Sequence, residues 1–258
     1  MKKFLVLILF AAFWVSGAFA ADVKIGIIGA MDIEVDTIKK DMDDMDISSV
    51  ITRSGMEFFD GKLCSVDAVV VKCGMGKVNA GICAQILIDT FKVTHIINTG
   101  VAGSLNNALN IGDIVVAVDA VQHDYDVTPI GFKRGEIPYT GLFAFRADDA
   151  MRAKAVKFIK NFAPDIQVIE GRICTGDQFI ATKEQKNKII SAFGGDCCDM
   201  ESGAIAQVCY LNHVPFLIIR AISDKADESE TPDFHEFEAN AAKLSASVTE
   251  YIVKNFYN

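Results

Sequence analysis

Three acidic residues stand where the chain around them gives an acid a reason to react. Residues 214–227, VPFLIIRAISDKAD, run apolar and then deliver Arg220, Ser223 and Asp224. A buried carboxyl is costly unless it is paired or neutral. In an apolar pocket its proton affinity rises, and a protonated Asp224 can hand a proton to a leaving group. A structural Arg220–Asp224 ion pair accounts for the same pattern. Residues 26–35, GIIGAMDIEV, put Glu34 in the first turn of a helix after a tight glycine turn. A carboxylate there gains roughly a few tenths of a kcal/mol from the helix dipole. The stretch lacks the G-x-G-x-x-G of a dinucleotide site. Residues 197–206, CCDMESGAIA, set Met200 and Glu201 before small residues that permit close packing. A glutamate at a helix start can accept two hydroxyl hydrogen bonds from a diol such as ribose, or it can cap the helix.

Other segments offer backbone rather than side chains. In GMGKVNAG, residues 74–81, Val78 follows Lys77, so the spacing of a phosphate loop is absent, which argues against a nucleoside triphosphate site. The glycines let backbone approach a ligand or a neighbouring helix. In NTGVAGSL, residues 98–105, Gly100 and Gly103 flank Val101 and Ala102, either as a ligand-binding strand end or as a simple turn. The four histidines (95, 123, 213 and 235) have no metal-ligand spacing. HDYD, residues 123–126, reads as a loop or interface segment in preference to a metal site.

The elements that must position these residues alternate. Strands are predicted at 23–30, 65–74, 94–100, 112–124, 167–180 and 214–224. Helices are predicted at 31–42, 77–91, 148–162, 199–212 and 235–256. Alternation of this kind argues an α/β fold with a largely parallel or mixed sheet. In such sheets ligands sit at the carboxyl ends of the strands. Four strand ends here carry polar or glycine-rich chemistry, which predicts one pocket collecting them.

The chain has 258 residues, 51% of them hydrophobic, enough for one sizeable core. Its first twenty residues are read apart from that core. MKK, then FLVLILFAAFWV, then AFA before Ala21 form a basic start, an apolar run and a cleavage site. That is the pattern of a secretory signal peptide over residues 1–20, cut after Ala20. An uncleaved anchor is the alternative, but the run falls short of the roughly 20 residues a membrane span needs. No Cys follows the cut, which disfavours a lipoprotein anchor. The expectation is an exported, periplasmic protein with a single domain over 21–258. The net charge of −9 becomes −11 without Lys2 and Lys3, and no basic run is present. Nucleic acid and sulfated polysaccharide are therefore poor partners, and small molecules or proteins better ones. The seven cysteines are odd in number and sit mostly in apolar runs, so they read as buried hydrophobes in preference to disulfides.

Taken together, the segments resemble the 5′-methylthioadenosine/S-adenosylhomocysteine nucleosidases of the nucleoside phosphorylase superfamily. GIIGAMDIEV, NTGVAGSL, GDIVV, HDYDVT, GDQFI, DMESGAIAQVC and VPFLIIRAISDKAD occur in that family's order, across essentially the whole mature chain. The resemblance implies a three-layer αβα sandwich around a mixed, partly barrel-like sheet, assembled as a homodimer. It implies hydrolysis of an N-glycosidic bond to adenine and a thioribose, with no metal and no organic cofactor. By the same resemblance Asp224 is the acid that protonates adenine N7, and Glu34 orients and deprotonates the attacking water. Glu201 binds the ribose hydroxyls, with Met200 packing on the sugar. Phe179 stacks on the base, Ile180 offers it backbone hydrogen bonds, and Ala102 and Gly103 line the pocket. Met31, Met75 and Phe234 surround the alkylthio group, and Val127, Ile130 and Pro138 close it from the partner subunit. Val101, Arg220 and Ser223 are counted with the substrate-binding residues; Val101 stands where many members carry Ser. The family does not rank methylthioadenosine, S-adenosylhomocysteine, 5′-deoxyadenosine and aminodeoxyfutalosine as substrates. A purine nucleoside phosphorylase is the nearest competing reading, and it requires a phosphate site of Arg, Ser and His. A non-catalytic exported nucleoside-binding protein is the other, and it predicts loss of Glu34 or Asp224.

Overall fold

The computed structural model describes residues 23–43, 50–227 and 234–255; the proposed signal peptide lies outside them. In chain order the first half is β1 (Lys24–Gly29), α1 (Asp32–Lys40), β2 (Met42–Asp43), β3 (Val50–Arg53), β4 (Met56–Leu63), β5 (Val66–Lys72), α2 (Lys77–Asp89) and β6 (His95–Ser104). The second half is β7 (Ile114–Gln122), β8 (Phe145–Arg146), α3 (Asp149–Phe162), β9 (Val168–Thr175), α4 (Lys183–Phe193), β10 (Cys197–Asp199), α5 (Ser202–Leu211), β11 (Phe216–Asp224) and α6 (Phe234–Asn255).

The strands form one mixed sheet in the order β10-β9-β7-β11-β6-β1-β5-β4-β2, and β10 pairs back onto β6. Five strands (β6, β10, β9, β7 and β11) thereby close a ring, while β1, β5, β4 and β2 extend from it as an open sheet. The architecture is α/β with a partial barrel. β6 makes the transition: its first half runs parallel to β1, and Gly103 and Ser104 at its far end pair with Cys198 and Cys197 of β10.

Helices cover both faces because the central strands are apolar on both. Successive strand side chains point to opposite faces. Ile96 of β6 and Ile218 of β11 pack with Cys83 and Leu87 of α2 and Ile205 and Cys209 of α5. Their neighbours Ile97, Leu217 and Ile219 pack with Val35 and Ile38 of α1, Ile159 of α3 and Ile252 of α6. Each such side chain contributes about 1.5–3 kcal/mol when fully buried. Among the described residues no disulfide occurs, and Cys73, Cys83, Cys174, Cys197, Cys198 and Cys209 are buried.

Six elements lie outside the sequence prediction: the short strands β2, β8 and β10, the strands β3 and β4, and helix α4. The β3–β4 hairpin turns at Ser54 and Gly55, both with positive φ (49° and 77°). α4 follows a strand that ends at Thr175, not at 180. The predicted helix at 199–212 is instead β10 followed by α5, with Met200 and Glu201 between them.

Candidate active site

A single cleft gathers the strand ends. It spans about 630 Å³ counted out into the solvent at its open mouth, and Glu34, Glu201 and Asp224 all line it. Glu34 reaches it from the first turn of α1. Its Oε2 accepts the backbone N–H groups of Ala30 (2.6 Å) and Met31 (2.9 Å), and its Oε1 accepts that of Val101 (3.0 Å). Three charge-assisted bonds lock the side chain. Burial still raises its proton affinity, while the Arg220 charge and those three donors pull the other way. Gly100 supplies the room, because a Cβ there would press on Glu34 Oε1 and lie 2.8 Å from Arg220 Nη1.

Asp224 reaches the cleft by a bulge in β11. Ile222 pairs with Ala102 and Asp224 with Gly103, so Ser223 is the extra residue. Asp224 Oδ2 accepts from Ser223 Oγ (2.8 Å) and Oδ1 from Ala226 N (2.7 Å). Burial raises its proton affinity, against those two hydrogen bonds and the Lys186 charge. Glu201 sits at the N-cap of α5 but makes no capping bond. Its Oε1 instead accepts Gly76 N (2.9 Å) from the turn before α2. Burial first, then the charge of Asp199, raise its pKa to about 7.

Arg220 does not pair with Asp224, which removes the ion-pair alternative. It lies fully buried behind the cleft and does not line it, so it is no direct substrate ligand in this geometry. Its Nε donates to Asp199 Oδ2 (2.8 Å), and Nη2 donates to Asn98 Oδ1 (2.6 Å) and Ser202 Oγ (2.9 Å). Thr175 Oγ1 completes the network on Asp199 Oδ1 (2.5 Å). Burial lowers the affinity of the guanidinium for its proton, and the carboxylates of Asp199, Glu201 and Glu34 reverse that to a net rise. One guanidinium thus balances the acids in front of it.

The sequence pattern of the phosphorylase superfamily matches residues 24–254. Curated 5′-methylthioadenosine/S-adenosylhomocysteine nucleosidases match over almost their whole length. That of Staphylococcus haemolyticus is 40% identical over 234 residues, 89% of this chain and 99% of the relative. That of a Geobacillus species is 41% identical over 90% of this chain and 98% of the relative.

The chain belongs to the 5′-methylthioadenosine/S-adenosylhomocysteine nucleosidases of the phosphorylase superfamily.

Solved structures agree with this nucleosidase assignment. The Neisseria meningitidis enzyme in complex with methylthio-immucillin-A superposes with a TM-score of 0.84 at 33% identity, covering 90% of this chain and 98% of that one. Futalosine hydrolase of Helicobacter pylori superposes with a TM-score of 0.83 at 32% identity, over 90% and 97% of the two chains. In this nucleosidase the cleft also holds Met31, Met75, Val101, Ala102, Gly103, Phe179, Ile180, Met200 and Ser223 from the predicted set. Ile180 and Ala102 are buried, whereas Met75 and Phe179 remain more than half exposed at the mouth. Phe234 is the first residue of α6, and its side chain lies outside the described set. Val127, Ile130 and Pro138 do not line the cleft of their own protomer, and Ile130 is 72% exposed.

Ala30, Gln178, Cys198, Asp199 and Glu238 line the cleft without having been singled out. Gln178 adjoins the predicted Phe179, and Cys198 and Asp199 belong to the quoted 197–206 segment. Glu238 gave no signal, being one acid on the polar face of a long helix. HDYD serves structure: Asp124 pairs with Lys77 (2.5 Å), and Asp126 accepts from Thr128 Oγ1 (2.7 Å). No cluster of three or more potential metal ligands occurs among the described residues.

Proposed function

We propose that this nucleosidase hydrolyses the N-glycosidic bond of 5′-methylthioadenosine and S-adenosylhomocysteine, with Asp224 as acid and Glu34 as base. The observation that carries the reading is the entry of these two buried carboxyls into one cleft from separate elements, each held by its own donors. Asp224 gives its proton to N7 of the departing adenine, which neutralises the charge that bond breaking places on the base. Glu34 orients a water on the opposite face of the sugar and takes its proton as the oxygen bonds to the anomeric carbon. The division of labour is that of two-carboxylate glycoside hydrolysis. Glu201 accepts the ribose hydroxyls, Met200 packs on the sugar, and Phe179 and Ile180 take the base.

The lining also argues for water over phosphate. It contains Glu34, Asp199, Glu201, Asp224 and Glu238, and no Lys, Arg or His among the described residues. An acidic cleft favours the cationic sugar of the transition state and repels a phosphate dianion. Futalosine joins the substrate set on the likeness to futalosine hydrolase, and its relative aminodeoxyfutalosine is assayed beside it. The test is release of the base from each nucleoside with and without phosphate. The expected result is equal rates and a free thioribose; a strict phosphate requirement and a sugar 1-phosphate would make the protein a phosphorylase. Binding without turnover would make it the non-catalytic alternative.

The homodimer is part of this proposal. Val78 and Ile82 of α2, Leu211 of α5, Ile130 and Tyr139 are apolar and between 41% and 103% exposed. α2 and α5 pack against each other, and exposed apolar residues on packed neighbours mark an interaction surface. Light scattering is expected to return the mass of two chains, and Ile82→Glu the mass of one. Export to the periplasm rests on residues 1–20; release by osmotic shock of a chain beginning at Ala21 is the expected outcome.

A further inference from the structure

Lysine is among the residues least often buried, yet Lys186 of α4 is only 4% exposed. Its Nζ donates to the carbonyl oxygen of Lys225 at 2.7 Å and lies 3.7 Å from Asp227 Oδ2. The peptide unit it holds is the one between Lys225 and Ala226. The other end of that same unit, Ala226 N–H, donates to Asp224 Oδ1 at 2.7 Å. The ammonium and the carboxylate therefore sit at opposite ends of one peptide group, with the peptide dipole aligned between them. Hydrogen bonds in such a chain polarise one another, and more so at low local dielectric.

The geometry is held on purpose-built packing. Ala226 has φ of 51°, a left-handed conformation that costs an alanine roughly 1–2 kcal/mol. Its methyl is fully buried in one apolar cluster with Ile189 and Phe193, on the inward face of α4 next to Lys186. The same helix is N-capped by Thr182, two residues after Ile180. α4 thus fixes the turn that carries Asp224's second hydrogen bond.

We propose that Lys186 is a positioning residue for Asp224: through the 225–226 peptide it fixes the carboxyl and steadies the negative charge left there once the proton has gone to the base. This rests on the acid role given to Asp224 above. The groups facing Asp224 are Ser223 and Ala226 N–H from its own segment, Asp227 from the turn, Lys186 from α4, and the Cys198 thiol from β10 beside Gly103. Of the two charged neighbours, Lys186 favours the carboxylate and Asp227 opposes it. The Cys198 thiol is neutral, because burial pushes it up.

The experiment compares wild type with Lys186→Met, Lys186→Gln and Lys186→Arg. Thermal unfolding identifies the folded variants. Gln keeps a donor for the Lys225 carbonyl without the charge, so it answers the question if Met fails to fold. Two readouts are taken: the pH profile of methylthioadenosine hydrolysis, and the titration of the Asp224 carboxyl by carbon NMR in the absence of nucleoside. For Met and Gln the expected outcome is a fall of about tenfold in kcat with KM nearly unchanged. The alkaline limb and the Asp224 midpoint both move up by about half a pH unit or more. Arg is expected to retain most of kcat and the wild-type limb. An Asp224 midpoint that does not rise in the neutral variants overturns the proposal, whatever kcat does, and leaves Lys186 a structural residue. Wild type that leaves the nucleoside intact overturns the proposed function instead, and the carboxyl titration still decides this inference.

Discussion

The backbone N–H of Val101 donates to Glu34 Oε1 at 3.0 Å, across 67 residues of chain. Position 101 therefore serves Glu34 through its main chain, a contact that does not depend on which side chain stands there. Val101→Ser is expected to keep kcat/KM within about threefold of wild type, since no charge-assisted bond is lost. Glu34→Gln is expected to lower kcat by about 10²–10⁴-fold with unfolding unchanged, as for removal of a general base. Steady-state kinetics with a coupled adenine assay separates the two.

Gly100 makes that contact possible. A methyl at this position meets the Glu34 carboxylate and the Arg220 guanidinium, both held by buried partners that cannot withdraw. Gly100→Ala is expected to cost at least about tenfold in kcat and about 1–3 kcal/mol of stability by overpacking. Urea titration and kinetics on one preparation check both. Wild-type values in that variant would show that the seat of Glu34 is loose.

Asp224→Asn is expected to remove nearly all turnover in a folded protein, because the amide has no proton of comparable acidity to give. In the unmodified enzyme both carboxyls have raised proton affinities through burial. Under the proposed roles of the two acids, Asp224 must be protonated, so the rate falls as pH rises through its value. Glu34 must be ionised, so the rate falls as pH drops through its value. The expected kcat/KM profile is a bell whose limbs both lie above the ordinary carboxylate range. An acid limb at the value of a free glutamate would remove Glu34 from the water-activating role.

Glu201 makes the stability of the unliganded protein depend on pH. Its pKa of about 7 exceeds the ordinary 4.5, so the folded state holds the proton more tightly than the unfolded chain. The associated stability is fully present below 4.5 and is lost as pH rises through about 7. Glu201→Gln, which stays neutral, is expected to gain in Tm on wild type over that interval while losing substrate affinity. Calorimetry at the two ends of the interval checks the sign.

Arg220→Met is expected to destabilise the fold by about 3–5 kcal/mol, because it leaves Asp199 buried without its partner. Arg220→Lys is expected to recover little, since one ammonium cannot reproduce the separate bonds to Asp199, Asn98 and Ser202. Denaturant titration measures both.

Much of this was legible in the sequence because acids at the ends of apolar strands are conspicuous. Asp224 stood out by chemistry, and the alternation of strands and helices announced the sheet; Glu34 and Glu201 read equally well as helix-start carboxylates, and their roles came from the family resemblance. What stayed hidden has physical reasons. α4 was missed because Lys186 occupies its inward row, so the apolar period starts only at Ile189, Ile190 and Phe193, in the second half of the helix. β10 is three residues long and runs almost directly into α5, too short for any period to show. The donors that hold Glu34 and Glu201 are main-chain groups of Ala30, Met31, Val101 and Gly76, and peptide groups leave no mark on residue type. Arg220 was visible, but its partner was not: an ion pair with Asp224 was only the alternative reading, and Asp199 did not enter it. Sequence proximity favoured Asp224, whereas the fold brings Asp199 to it from another strand end.

The closed circuit of β6, β10, β9, β7 and β11 has a consequence for how such an enzyme can change. Sliding any one of these strands by a residue would have to be matched by the other four, so the scaffold resists drift in its pairing. Met200 and Glu201 follow one member of the circuit, and Asp224 ends another. Their mutual spacing is therefore inherited with the frame, and new substrate preferences have to arise from side chains around the rim, where Met75 and Phe179 already stand.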